Sequence, residues 1–156
     1  MKTRLPPPLI ALLAGLGMLA LHRWWPLARC LHGVQRDIGV VPALLGISIA
    51  LSAALRFRSA HTTLDPTEPA KATALVQSGV FGYTRNPMYL GLALVLAGWA
   101  WWLGSASPWL VLPGFIAAVT WLQIIPEEQA LHVLFGEPYA AYCRRVPRWL
   151  GRAARG

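Results

Sequence analysis

The stretch PMYLGLALVLAGWAWWLGSASPWLVLPGFIAAVTWLQII, residues 87–125, decides the fold. Its first part runs from about Pro87 to Leu103 and its second from Pro108 to Ile125. Each is near the roughly 20 apolar residues that a membrane-spanning helix needs. Trp99, Trp101 and Trp102 close the first part as an aromatic belt, the residue type that favours a membrane interface. Ser107-Pro108-Trp109 opens the second part and Pro126 ends it. Gly104, Ser105 and Ala106 alone join the two, so they must fold back as an antiparallel hairpin.

Two more apolar stretches precede the hairpin. One runs from Leu5 to Leu21, opened by Pro6, Pro7 and Pro8 and closed by His22-Arg23-Trp24-Trp25-Pro26. The basic start at Lys2 and Arg4 also fits a signal peptide. Trp24 and Trp25 speak instead for a retained helix, as does the lack of a small-x-small cleavage pattern after it. The other stretch is Ile38 to Phe57.

Composition agrees with this reading. Of 156 residues, 56% are hydrophobic and 13% charged, against about a quarter charged in soluble domains. A chain this short cannot bury that much apolar surface behind a water-facing shell, so the surplus faces lipid. The expected architecture is an all-α polytopic membrane protein with about four transmembrane helices and a C-terminal cytoplasmic helix, in one domain over residues 1–156.

The net charge of +8 would suit nucleic acid on a soluble domain. Here the positive-inside rule explains it better. With the N-terminus inside, Lys2, Arg4, Arg56, Arg58, Lys71, Arg85, Arg144, Arg145, Arg148, Arg152 and Arg155 are inside, and Arg23, Arg29 and Arg36 outside. That bias predicts both termini in the cytoplasm, in an inner or cytoplasmic-type membrane, with the bilayer and not nucleic acid as partner. Cys30 and Cys143 then fall on opposite sides and read as unpaired thiols. His22, His32, His61 and His132 are scattered without zinc-type spacing, so no metal site is expected.

Two segments remain, both on the cytoplasmic face. Arg58 to Tyr83 is a polar loop with Pro66 and Pro69, too long for a simple connector. From Glu127 onward, Glu127, Glu128, Leu131, Leu134 and Phe135 fit an amphipathic helix. The hairpin returns the chain to its starting surface, so Arg85 to Tyr89 should meet Glu127 and Glu128. Gly79 permits unusual backbone angles or close approach. Pro87 frees Asn86 and starts a helix whose first N–H groups lack partners. Adjacent carboxylates at a membrane boundary are costly without a partner. A cationic, adenine-bearing cofactor would supply one, while an acid pair that simply marks the helix leaving lipid explains the same residues.

The motifs carry more. Leu75-Val76-Gln77-Ser78-Gly79-Val80-Phe81 is followed by Arg85-Asn86-Pro87-Met88-Tyr89-Leu90-Gly91. Then come Glu127-Glu128, Phe135-Gly136-Glu137-Pro138-Tyr139, Tyr142 and Val146-Pro147. This series resembles the isoprenylcysteine carboxyl methyltransferase family and the related phospholipid N-methyltransferases, over about Leu64 to Leu150. The resemblance implies an enzyme that takes a methyl group from S-adenosyl-L-methionine, held by residues 58–156, with the two helices of 1–57 carrying no such motif. It implies that Thr73, Leu75, Val76 and Phe81 line the cofactor, followed by Asn86, Pro87 and Tyr89, with Glu127 and Glu128 holding its amino or ribose groups. For Leu75, Val76 and Phe81, packing of the loop onto the helices is the competing reading.

Departures from the family pattern bear on the acceptor. Many relatives have His where this chain has Asn86, which does not titrate near neutral pH. Gln123 stands where the prenylcysteine enzymes place an Arg facing the substrate carboxylate, and it cannot form the charge-assisted bidentate pair. Gln123 and Arg85 are the substrate-side candidates, although Arg85 also fits a headgroup anchor. The terminal arginines read as a headgroup patch. The implied reaction is in-line methyl transfer to a lipid or other apolar small molecule, with the protein supplying position and exclusion of water. A carboxylate or thiolate acceptor needs no general base, while an amine would need a proton acceptor that the sequence does not single out. Membrane sterol reductases, which use NADPH, are similar in their C-terminal region, but the loop's single basic residue, Lys71, speaks against a 2′-phosphate. A scaffold without chemistry is the remaining rival.

Overall fold

A computed structural model of the chain describes residues 5–28, 34–59 and 75–150. Every regular element among them is helical: α1 Pro7–Trp24, α2 Val34–Asp37, α3 Val40–Ser59, α4 Pro87–Leu103, α5 Val111–Val119, α6 Ile125–Phe135 and α7 Glu137–Arg145. Residues 60–74, most of the long polar loop, lie outside the described part, as does Cys30.

Three helical runs are long and apolar enough to cross a membrane: Pro7–Trp24, Gln35–Ser59 and Ser107–Phe135, of 18, 25 and 29 residues. α4, with 17 residues, is at the lower limit of a spanning helix and is the most buried of the four. The others leave leucines such as Leu12, Leu44 and Leu51 exposed along their length. In an integral membrane protein such faces meet lipid and α4 forms the centre. The core joins Met18, Tyr89, Ala93, Leu96, Ala100, Phe115, Val119 and Ile124.

α3 and α4 run antiparallel and touch backbone to backbone. A Cβ on Gly46 would sit 2.4 Å from the Gly91 carbonyl oxygen, and one on Gly91 would sit 2.5 Å from that of Gly46. Gly39 and Gly98 form a second reciprocal pair seven residues further along each helix, at 2.5 and 2.4 Å. Small residues allow this approach in lipid, where van der Waals contact drives helix pairing.

The far end of the bundle, opposite Pro87, is tied by polar contacts. His22 Nδ1 and Ser105 Oγ share a hydrogen bond of 2.8 Å, Arg36 donates to the Leu103 carbonyl at 3.2 Å, and Trp101 Nε1 donates to that of Gln35 at 2.9 Å. The Trp99 and Trp102 rings stack there, where the sequence places its aromatic belt.

Pro126 does not end the last span. A π turn, Thr120–Ile124, joins α5 to α6 without a break, with the Ile125 N–H bonded to the Thr120 carbonyl. The wider turn relieves the clash of the Pro126 ring with the carbonyl four residues back. The helix therefore carries Glu127 and Glu128 in register with the span. It stops at Gly136, whose φ of +56° suits a residue without Cβ. The C-terminal region is thus a helical extension followed by a separate helix, α7, folded beneath it.

Candidate functional site

At the near end, the start of α4, the two acids of the sequence motif are treated differently. The Tyr89 hydroxyl donates to Glu127 Oε1 at 2.5 Å. Glu128 is gripped by two arginines. Arg85 Nη2 donates to its Oε1 at 2.9 Å, and Arg148 reaches it through Nε at 3.1 Å and Nη2 at 2.6 Å. That fork is the bidentate geometry in which guanidinium and carboxylate bind most strongly.

Arg85 is turned inward, with 12% of its side chain exposed. Its Nη1 donates to the carbonyls of Cys143 and Val146, both at 3.0 Å, and its backbone N–H to that of Pro147 at 3.0 Å. Asn86 is buried, and its Nδ2 donates to the Arg148 carbonyl at 3.0 Å. Thr84 Oγ1 donates to the same oxygen at 3.1 Å. Residues 143–149 therefore form a strap over the start of α4, anchored on one side by Arg85 and on the other by the Trp149 Nε1 to Thr120 Oγ1 bond.

The loop before α4 packs under α7. Leu75 lies against the cluster of Tyr139, Tyr142 and Val146. Phe81 is buried, meets the Phe57 ring edge-on at 5.0 Å, and accepts at its carbonyl a bond of 2.8 Å from the Tyr142 hydroxyl. Burial pushes the Tyr139 and Tyr142 phenols well up from their ordinary value, so both stay protonated donors. Gly79, at φ +64°, leaves room for the Arg56 guanidinium, which would lie 2.8 Å from a Cβ there. Val76 is half-buried, and Thr73 lies outside the described residues.

Gln123 is 1% exposed. Its Nε2 donates 2.7 Å to the carbonyl of Leu5, just before α1, while its Oε1 has no hydrogen-bond partner among the described residues. The side chain pins the start of α1 to the π turn one turn before Glu127.

The structure thus gathers Arg85, Asn86, Pro87, Tyr89, Glu127 and Glu128 at one end of the bundle. Leu75 and Phe81 face the underside of α7. Sequence reasoning missed Thr84, gave Tyr142 no role beyond its place in the motif, and read Arg148 as part of a headgroup patch, whereas it binds Glu128. The signal for Arg148 was the acid pair itself: two carboxylates at a membrane boundary need cations nearby. Nothing in the local sequence distinguishes Arg148 from the other terminal arginines.

A model of the phospholipid methyltransferase family matches residues 34–138. The chain belongs to this family. As a member it is a membrane methyltransferase. The matched span takes in α2 to α6 and the first residues of α7, leaving α1 and the strap outside it. An uncharacterized protein of Haemophilus influenzae is 43% identical over 63 residues, which is 40% of this chain and all of that protein. No solved structure matches the chain.

The donor set fits S-adenosylmethionine. Glu127, oriented by a buried tyrosine, offers a carboxylate beside the N-terminus of α4, and half-buried Leu75 offers apolar surface, whereas Phe81 is buried against Phe57. Glu128, already held by two guanidiniums, serves better as the brace of the strap than as a contact to a cation.

Proposed function

We propose that the chain is an S-adenosylmethionine-dependent methyltransferase acting on a lipid or similar apolar acceptor at the cytoplasmic membrane face. The observation that carries the reading is the Tyr89–Glu127 pair at 2.5 Å at the end of the central helix in a member of this family. Bound S-adenosylmethionine supplies a methyl group already activated on a sulfonium. Glu127 holds its amino or ribose groups, and the Tyr89 hydroxyl fixes the carboxylate that does so. Thr73, Leu75, Val76 and Phe81 line the cofactor, while Asn86 and Pro87 set the start of α4 beside it. Arg85, Glu128 and Arg148 clamp the strap, which keeps water from the reacting atoms. The excess of Lys and Arg on the near-end segments supports a cytoplasmic position for the site and both termini.

A nicotinamide cofactor with a 2′-phosphate asks for basic side chains turned toward it. At this site Arg85 and Arg148 are turned onto Glu128, which favours the adenosyl cofactor. The test is thermal unfolding of the detergent-solubilised chain with S-adenosylhomocysteine or with NADPH. At 100 times its dissociation constant the bound ligand adds about 2.7 kcal/mol to the folded state. The adenosyl compound alone should raise the melting temperature, and Glu127→Gln should abolish that rise in a protein that still folds. A rise with NADPH alone would sink the reading.

A further inference from the structure

Between α5 and α6 the last span holds one residue more than an unbroken α-helix needs. The Ile125 N–H bonds to the Thr120 carbonyl, five residues back, across the π turn Thr120–Ile124. An extra residue of this kind sets every later side chain back by about one helical position, roughly 100°. Closed into ordinary α-helix, the same residues would bring Pro126 to the place that Glu127 holds against Tyr89. Glu127 would move to the place of Glu128, between Arg85 and Arg148. The turn therefore decides which side chain meets the Tyr89 hydroxyl. Pro126 alone does not select this geometry, because a kink in an α-helix relieves the same clash.

Two side chains of the turn bond to other segments. Thr120 Oγ1 accepts from Trp149 Nε1 of the strap at 3.3 Å, but it also donates within its own helix, to the Ile116 carbonyl at 2.6 Å. Gln123 has the Leu5 carbonyl as the partner of its Nε2, at 2.7 Å. Its side chain is 1% exposed, and its Oε1 has no partner among the described residues. A bare buried oxygen is costly, and a methionine of similar shape would avoid that cost. The amide serves this place through the one bond that it makes.

We propose that Gln123 is a positioning residue for the cofactor site: its bond to Leu5 holds the π turn open and so keeps Glu127 on Tyr89. The inference rests on the methyltransferase reading in one respect, that Glu127 has a cofactor to hold. Gln123 and Ile124 are the buried side of the turn, while Trp121 and Leu122 face outward. A fixed point on the buried side prevents the turn from rewinding, and the acid one turn further along keeps its direction. Leu5 stands just before α1, outside the span that matches the family. The docking of α1 is thereby felt at Glu127, although no residue of α1 belongs to the motif.

The test uses the full chain in detergent with fluorotyrosine at its four tyrosines, read by fluorine NMR. Tyr89→Phe assigns the Tyr89 signal, and Glu127→Gln marks where that signal lies once the pair is broken. Gln123→Met keeps the shape and removes the donor. It should move the Tyr89 signal at least half of the way to the broken-pair position and leave those of Tyr83, Tyr139 and Tyr142 in place. The dissociation constant of S-adenosylhomocysteine should rise at least fivefold. The melting temperature without ligand should stay close to that of the parent, because loss of the bond is offset by loss of the bare oxygen. Gln123→Leu, of different shape and likewise without a donor, should act in the same direction. Leu122→Ala lies in the same turn at a position 53% exposed and should leave the Tyr89 signal in place and the affinity within twofold. A Tyr89 signal unmoved in both Gln123 variants overturns the proposal. A moved signal with affinity within twofold of the parent overturns it as well, since the residue then positions nothing that the cofactor needs. A lowered melting temperature with all four signals displaced marks a merely structural role and overturns it too. A parent that binds no S-adenosylhomocysteine counts against the cofactor reading, and the Tyr89 signal then decides by itself whether Gln123 sets the acid.

Discussion

The two flanks of α4 are built on opposite principles. Against α3 it has two reciprocal glycine pairs, with the backbones so close that no Cβ fits between them. Against α1 it has one glycine, Gly15, with a groove beside it and an indole N–H reaching across. In lipid the hydrophobic effect gives no preference for helix against helix, so contact distance decides which pairs are rigid. The α3 flank is a fixed wall that sets Tyr89 and Asn86 at the end of α4. The α1 flank is held at points: Gln123 on Leu5 at one end, Trp99 on Gly15 midway, His22 on Ser105 at the other. The α3 contact is therefore the rigid side of α4 and the α1 contact the open one.

This contrast makes graded predictions. The largest effect should come from Gly91→Ala or Gly46→Ala. Each places a methyl group against backbone that cannot move aside, and overpacking of this kind costs about 1–3 kcal/mol. Unfolding in detergent should show it, and the displaced Tyr89 should weaken stabilisation by S-adenosylhomocysteine as well. If either variant unfolds like the parent, the α3 flank is not a fixed wall.

Tyr142 tests the strap that closes the site, apart from either flank. Its phenol is held protonated by burial, so the folded state binds that proton more tightly than the unfolded chain. Stability from this source is complete below the ordinary tyrosine value of about 10 and falls as pH rises above it. Tyr142→Phe should lose about 1 kcal/mol at neutral pH, where the bond to the Phe81 carbonyl is gone, and should flatten the alkaline decline. An unaltered decline in the variant would assign it elsewhere.

On the looser flank, Trp99→Phe keeps a ring but removes the donor to Gly15, at a cost of about 1 kcal/mol or less. Gly15→Ala is the smallest change. Its methyl group makes ordinary contact with Leu96 at 3.7 Å, and alanine is the better helix former by up to about 1 kcal/mol. It should be neutral or slightly stabilising, the reverse of Gly91→Ala. Matching losses at both glycines would mean that the two flanks are equally tight.

Much of this arrangement was legible in the sequence. The apolar runs and the three-residue join between the last two spans require a helical hairpin, since backbone groups in lipid must be bonded within their own helix. The hairpin in turn brings Arg85–Tyr89 to Glu127 and Glu128. Other features were not legible. Proline at 126 reads as a helix end, and only the π turn ahead of it shows how the helix continues and carries the acids in register. Gly39, Gly46, Gly91 and Gly98 become a pattern only when the two helices are laid antiparallel.

Period, length and charge belong to the chain itself, because each span satisfies its own hydrogen bonds and the lysines and arginines sort by side. These properties determined a helical membrane protein and the residues that cluster at one end. Which acid binds cations of the protein and which pairs with Tyr89 was decided by tertiary structure. Glu127 and Glu128 are neighbours in sequence, but successive helix positions point about 100° apart. One therefore meets α4 and the other meets the strap, and Arg148 reaches it from 20 residues away.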